Sequence, residues 1–121
     1  MTTLTEDLHD GGFVASEGNG HISREAVTIV SGQTLKAGAV IGKITASGKY
    51  AAYDNAATDG TQMAAGVLYG AVDASGADAT GVAIVRMAEV ATDGLVWGAS
   101  QDAAAKTAGL ADLAALTIIA R

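Results

Sequence analysis

Turn signals recur so closely from residue 23 onward that only short extended segments fit between them. Ala26-Val27-Thr28-Ile29-Val30 and Ala39-Val40-Ile41-Gly42-Lys43-Ile44-Thr45 are β-branched runs, cut by Ser31-Gly32 and Ala37-Gly38. Further runs are Lys49-Tyr50-Ala51-Ala52-Tyr53, Gly66-Val67-Leu68-Tyr69-Gly70-Ala71-Val72 and the apolar stretch from Val82 to Val90, in which Arg86 and Glu89 are the polar positions. Read by period, that last stretch is one strand buried over most of its length. Between the runs lie Asp54-Asn55, Thr58-Asp59-Gly60, Asp73-Ala74-Ser75-Gly76 and Thr92-Asp93-Gly94. An Asp there can bond its own backbone and a Gly tolerates positive φ, so each is a turn. Ala-Thr-Asp-Gly occurs at 57–60 and again at 91–94, too short a match to define a repeat.

The pattern changes at both ends. Ser100 is a suitable N-cap, Asp102 suits the positive end of a helix dipole, and Ala103-Ala104-Ala105-Lys106 favours helix. A helix over about residues 101–115 follows, with Leu110, Leu113 and Leu116 as a core-facing stripe and Lys106 and Asp112 toward solvent. Gly109 weakens its middle by about 1 kcal/mol relative to Ala, and residues 117–120 read as a closing strand. Residues 1–22 carry four acids and several glycines without apolar period, and read as a flexible arm, either a disordered tail or a segment that orders on a partner through the short apolar anchor Phe13-Val14. The fold class is therefore mainly β (α+β): one compact β-rich domain at 23–121 built of short strands, with one C-terminal helix and the N-terminal arm.

Composition sharpens this. Half of the 121 residues are hydrophobic, but 27 are Ala and only five are aromatic. Burial contributes about 25 cal/mol per Å² of apolar area, so such a chain gains little per residue and is expected to bury further surface by oligomerising. A net charge of −6 opposes binding to nucleic acid through phosphates. Zero Cys excludes disulfides, cysteine zinc sites and a thiol nucleophile. The start lacks the basic and apolar regions of a signal peptide, and no apolar run approaches the roughly 20 residues needed to span a bilayer. A soluble protein made in a cytoplasm, without a membrane partner, is expected.

Catalytic and ligand chemistry is sparse. His9 and His21 both fall in or beside the glycine-rich arm, and their spacing fits no helical metal pair. Asp59 and Asp93 could form an acid/base pair, which needs contrasting environments, but each is already explained by a Thr-Asp-Gly turn. Gly18-Asn19-Gly20 lacks the strand, third glycine and helix of a phosphate loop. No catalytic residue, cofactor, metal or small-molecule substrate is expected. Trp97 suits either the core or a subunit interface. Val30 to Ile41 resembles the glycine rhythm of biotinyl and lipoyl carrier domains, the alternative reading, although the tip Ser47-Gly48-Lys49-Tyr50 matches neither attachment motif.

A longer resemblance covers about residues 48–97. Lys49-Tyr50, Tyr53-Asp54 before Thr58-Asp59-Gly60, Ala65-Gly66-Val67-Leu68 with Ala71-Val72-Asp73-Ala74, Ala88-Glu89-Val90 and Leu95-Val96-Trp97 keep the order and spacing of the head decoration protein family of tailed bacteriophages. The arm and the Ala-rich helical tail depart from that pattern. The resemblance implies a non-enzymatic, β-rich homotrimer. It would sit on the outer capsid surface of the virion at three-fold positions and stabilise the expanded shell by binding the major capsid protein. It further implies that the arm, by position Phe13, Val14, His21 and Ile22, orders on the shell by strand addition.

Overall fold

The structure is a computed structural model that describes residues 9–121. The first eight residues of the expected arm lie outside the described residues.

The strands are β1 (Val14–Glu17), β2 (Arg24–Ile29), β3 (Gln33–Leu35), β4 (Val40–Lys43), β5 (Tyr50–Ala52), β6 (Ala64–Leu68), β7 (Val72–Ala74), β8 (Ala79–Ile84), β9 (Ala88–Val90) and β10 (Ile118–Ala120). One helix, α1 (Ala103–Ala115), precedes the last strand. The β-rich class with a single C-terminal helix thus matches the expectation. Five strands close a barrel in the order β2-β5-β4-β6-β8. All its pairings are antiparallel except the seam, where β2 meets β5 in parallel at Ile29 and Tyr50. Two satellites flank it, a β3-β7 hairpin-like pair and an open sheet in the order β1-β9-β10.

The packing divides in two. Val27, Ile29, Ile41, Leu68, Val72 and Ala83 fill one cluster with the β3-β7 pair. Phe13, Tyr53, Val67, Ile84, Val90, Leu113 and Ile118 form the other, where the barrel meets the open sheet and α1. The second cluster therefore joins residues from both ends of the chain.

Several expectations change. The run 66–72 is two strands, β6 and β7, turned at Tyr69-Gly70, and β3 lies in a segment read only as turn rhythm. The run 82–90 also splits, because Arg86 and Met87 are exposed and Met87 adopts φ +51°, which no strand accommodates. Of the three glycines in the Asp-Gly turns only Gly60 takes positive φ, at +114°; Thr92–Gly94 is instead a 3-10 turn. The helix begins at Ala103 with Asp102, not Ser100, as its N-cap, its carboxylate accepting from the Ala105 N–H at 2.8 Å. Its buried face is Ala105, Gly109 and Leu113, one residue per turn, whereas Leu116 sits past the last turn and is exposed. Asp112 does not simply face solvent, since its Oδ2 accepts the Ala64 N–H at 3.0 Å and ties α1 to β6. A Cβ on Gly109 would lie 2.8 Å from Trp97, so the glycine that weakens the helix is what lets the indole approach it.

The arm boundary also moves. Phe13 is buried, 1% exposed, and β1 pairs antiparallel with β9, Val14 opposite Val90. The Phe13 carbonyl accepts the Ala91 N–H at 2.7 Å. Phe13 and Val14 are thus part of the folded domain, because a large apolar ring gains more in this Ala-poor corner of the core than in water.

Candidate contact surface

Trp97 is half-buried. Its ring meets Tyr53 edge-on at 5.9 Å and 71°, and the Tyr53 hydroxyl donates to the Ala105 carbonyl at 2.8 Å. Its other side borders a cavity of about 200 Å³ with Leu35, Lys36, Val40 and Val96. Trp97 therefore packs on the core while lining the surface.

At the start of α1, Asp54, Asn55, Ser100, Gln101 and Asp102 surround a second, polar cavity of about 170 Å³. Gln101 satisfies that corner from within, donating to Asp54 and Ser100 and accepting the Asn55 N–H. Among the described residues no buried side-chain polar atom lacks a partner, and no cluster of three metal-ligating groups occurs. Asp59 accepts from both the backbone and hydroxyl of its neighbour Thr61, which holds its carboxyl below the usual range and leaves it a turn residue. Lys49 is ion-paired with Asp78 at 2.5 Å, so the carrier-type lysine is engaged in the barrel wall.

The open sheet carries different chemistry. A depression of about 400 Å³ is lined by Glu17, Gly18, Met87, Glu89, Thr117 and Ile119. At its centre two non-glycine residues take left-handed backbone, Met87 at φ +51° and Thr117 at φ +63°. They hold one another: the Met87 N–H donates to Thr117 Oγ1 at 2.9 Å and the Ala88 N–H to the Thr117 carbonyl at 3.1 Å. The Met87 carbonyl in turn accepts the Ser23 hydroxyl at 2.7 Å and the Gly18 N–H at 3.0 Å. Such conformations cost of order 1–3 kcal/mol each and persist where the surroundings over-determine them. The result is a methionine 49% exposed, beside Ile119 at 39% and the 19–22 turn with Ile22 at 48%.

All three arginines of the chain are paired with glutamates; Glu17 and Glu89, the partners of Arg24 and Arg121, line this depression, whereas Arg86 and Glu25 lie near Tyr50 of the barrel. Arg24 bonds Glu17 through two nitrogens, at 3.1 and 2.6 Å, and lies 4.2 Å over the Tyr69 ring. Arg86 meets Glu25 at 3.0 Å and donates to the Ile22 carbonyl at 2.8 Å. Arg121 meets Glu89 at 2.6 Å, and Ser16 donates to the same carboxylate at 2.9 Å. The Arg24 hydrogen bond holds the Glu17 carboxyl below its ordinary range; the Ser16 hydroxyl, then Arg121, do so for Glu89.

Of the residues singled out from sequence, Ile22 and His21 are exposed in the turn after β1, Phe13 is buried, Val14 is a half-buried residue of β1, and Trp97 borders the separate Leu35–Val96 cavity. Sequence reading missed Met87, Thr117 and the arginine pairs. The gathering of every arginine opposite a glutamate, while aspartate and lysine serve elsewhere, is a contrast that only the fold reveals.

A closed five-stranded barrel bearing an open sheet, with an apolar centre and a charged rim, is a small structural β protein with a surface suited to protein contact. The chain belongs to the bacteriophage lambda head decoration protein D family, whose family model matches residues 3–118. It is thus a phage head decoration protein, of a structural rather than enzymatic family located at the capsid surface. No curated protein matches the sequence.

Proposed function

We propose that the protein, made in the host cytoplasm, assembles as a homotrimer that docks on the outside of the expanded capsid at local three-fold positions. There it ties neighbouring major capsid subunits together against internal pressure. The observation that carries this reading is the family match across residues 3–118. The structure supports it in two ways. The core is divided into two modest clusters rather than one large one, so further burial between copies is stabilising. And β1 and β10 each pair on one side only among the described residues, leaving strand edges to which another chain can add. Phe13 and Val14 then anchor β1 to the domain, while His21 and Ile22 remain available to the shell. Repetition over a lattice makes modest contacts cumulative.

Light scattering on the isolated protein should give the mass of three chains, and co-sedimentation should show binding to expanded but not immature heads. A stable monomer, or equal binding to both head forms, overturns the reading.

A further inference from the structure

Four places in the chain set a carboxyl or amide side chain directly before a glycine: Asp10-Gly11, Asn19-Gly20, Asp59-Gly60 and Asp93-Gly94. Such a pair can close a succinimide ring when the glycine nitrogen attacks the side-chain carbonyl carbon, since glycine has no Cβ to hinder the approach. The fold treats the four unequally. The Gly11 N–H donates to the Tyr69 carbonyl at 2.9 Å, the Gly60 N–H to Gln62 Oε1 at 2.8 Å and the Gly94 N–H to the Ala91 carbonyl at 2.9 Å. A nitrogen engaged as a donor must give up that bond before it attacks. Among the described residues, the Gly20 N–H has no acceptor and the Asn19 side chain no partner.

The chain's other asparagine, Asn55, is held on both counts. Its Oδ1 accepts the Tyr53 hydroxyl at 3.3 Å, and the Ala56 N–H that follows it donates to Asp54 at 3.0 Å. Asn19 and Gly20 instead stand exposed at the tip of the turn between β1 and β2. Gly20 takes φ +64°, and nothing lies within 4 Å of where a Cβ would be. The turn is fixed below its tip, by the Gly18 N–H on Ser23 Oγ at 2.8 Å and the Ile22 N–H on the Asn19 carbonyl at 3.4 Å. The Asn19 amide can therefore rotate onto the Gly20 nitrogen without releasing either strand.

We propose that Asn19 is a site of spontaneous deamidation in the isolated, folded protein, with water as the co-reactant. The Gly20 nitrogen bonds to Asn19 Cγ, the Cγ–Nδ2 bond breaks, and ammonia leaves with the proton from that nitrogen. Water then opens the ring at either carbonyl. One opening restores the main chain with an aspartate side chain. The other routes the main chain through the former side chain as isoaspartate, lengthening the turn by one methylene. Either product adds a negative charge, two residues after Glu17, to a chain that already carries −6.

Full-length protein is held at mildly alkaline pH, folded or in guanidinium chloride, and sampled over days. Charge variants are resolved by ion exchange, and isoaspartate is located by peptide mapping after methylation with an isoaspartyl methyltransferase. In the folded protein, acid should appear at position 19 at least about tenfold faster than at position 55, where two hydrogen bonds add to the barrier. Unfolding should change the rate at position 19 by less than about threefold while accelerating isoaspartate formation at Asp10, Asp59 and Asp93 about tenfold. Asn19→Gln, which would have to close a larger ring, should lose the acidic variant and keep the circular dichroism spectrum of the wild type. A rate at position 19 about tenfold lower in the folded protein than in the denaturant means that the turn protects Asn19, and overturns the proposal. So do unchanged rates at the three aspartates on unfolding, acid appearing first at position 55, or an acidic variant that persists in Asn19→Gln.

Discussion

The barrel and the open sheet solve the edge problem in opposite ways. In the barrel every strand has two neighbours, and aspartates that bond two residues ahead shape the turns around it, with Asp78 reaching farther, to Ser31 and Lys49. In the sheet, among the described residues, only β9 has two neighbours, and an ion pair and a hydroxyl contact on Glu89 join segments 32 and 73 residues apart. Closure makes the barrel indifferent to other chains, whereas an open edge is a template for pairing that proteins otherwise suppress. The difference teaches that the barrel is a closed body, whereas the sheet, among the described residues, is the part with edges still open to pairing.

The largest expected effect comes from cutting the joint between them. Phe13→Ala removes a ring that is 1% exposed in the shared cluster and should cost roughly 3–5 kcal/mol in urea unfolding. Amide exchange should accelerate in β1 and β9 before β2 and β8; uniform acceleration would mean that sheet and barrel are one cooperative unit. Gly109→Ala tests the helix side of the same joint. Its Cβ would meet Trp97 at 2.8 Å, so a loss of about 1–3 kcal/mol from overpacking should outweigh the roughly 1 kcal/mol gain in helix propensity. A more stable variant would show that Trp97 yields freely.

Relieving strain acts in the opposite direction and is smaller. Met87→Gly should leave stability unchanged or raise it by up to about 1 kcal/mol, since left-handed backbone costs an L residue about that much and glycine's greater unfolded freedom offsets part of it. A marked loss would show that the methionine side chain is held by packing. The smallest effect is acid. Glu17 and Glu89 have depressed folded pKa values, so their contribution is present above the ordinary glutamate value of about 4.3 and is lost as pH falls through the lower folded values. Exchange in β1 and β10 should rise in that window. The barrel should respond less, because Asp59 and Asp73, also depressed, bond within their own turns; Asp78, which spans to Ser31 and Lys49, is where it would respond first.

The body was far more legible from sequence than the contact surface. Strands β2, β4 and β5 coincide with β-branched or aromatic runs bounded by turn residues, because a strand's burial is written in its own side chains. The helix was legible from its alanines, but its buried face was not: leucine spacing suggested 110, 113 and 116, while the indole of Trp97 selected Gly109 and its neighbours one turn away. Phe13 looked like an anchor for another molecule because its partner strand, β9, lies more than seventy residues on. Met87 carried no signal at all. A methionine in an apolar run reads as core, and only the backbone angle and its bond to Thr117 turn it outward.

One register has a mechanical consequence. Val14, where β1 begins, and Ala120, where β10 ends, are both opposite Val90, two strand spacings or about 10 Å apart. Tension applied between the first and last strands therefore runs across β9 and returns within three strands. The barrel lies outside that load path, so the sheet would peel open under force while the body stays intact, and would reseat when the force is released.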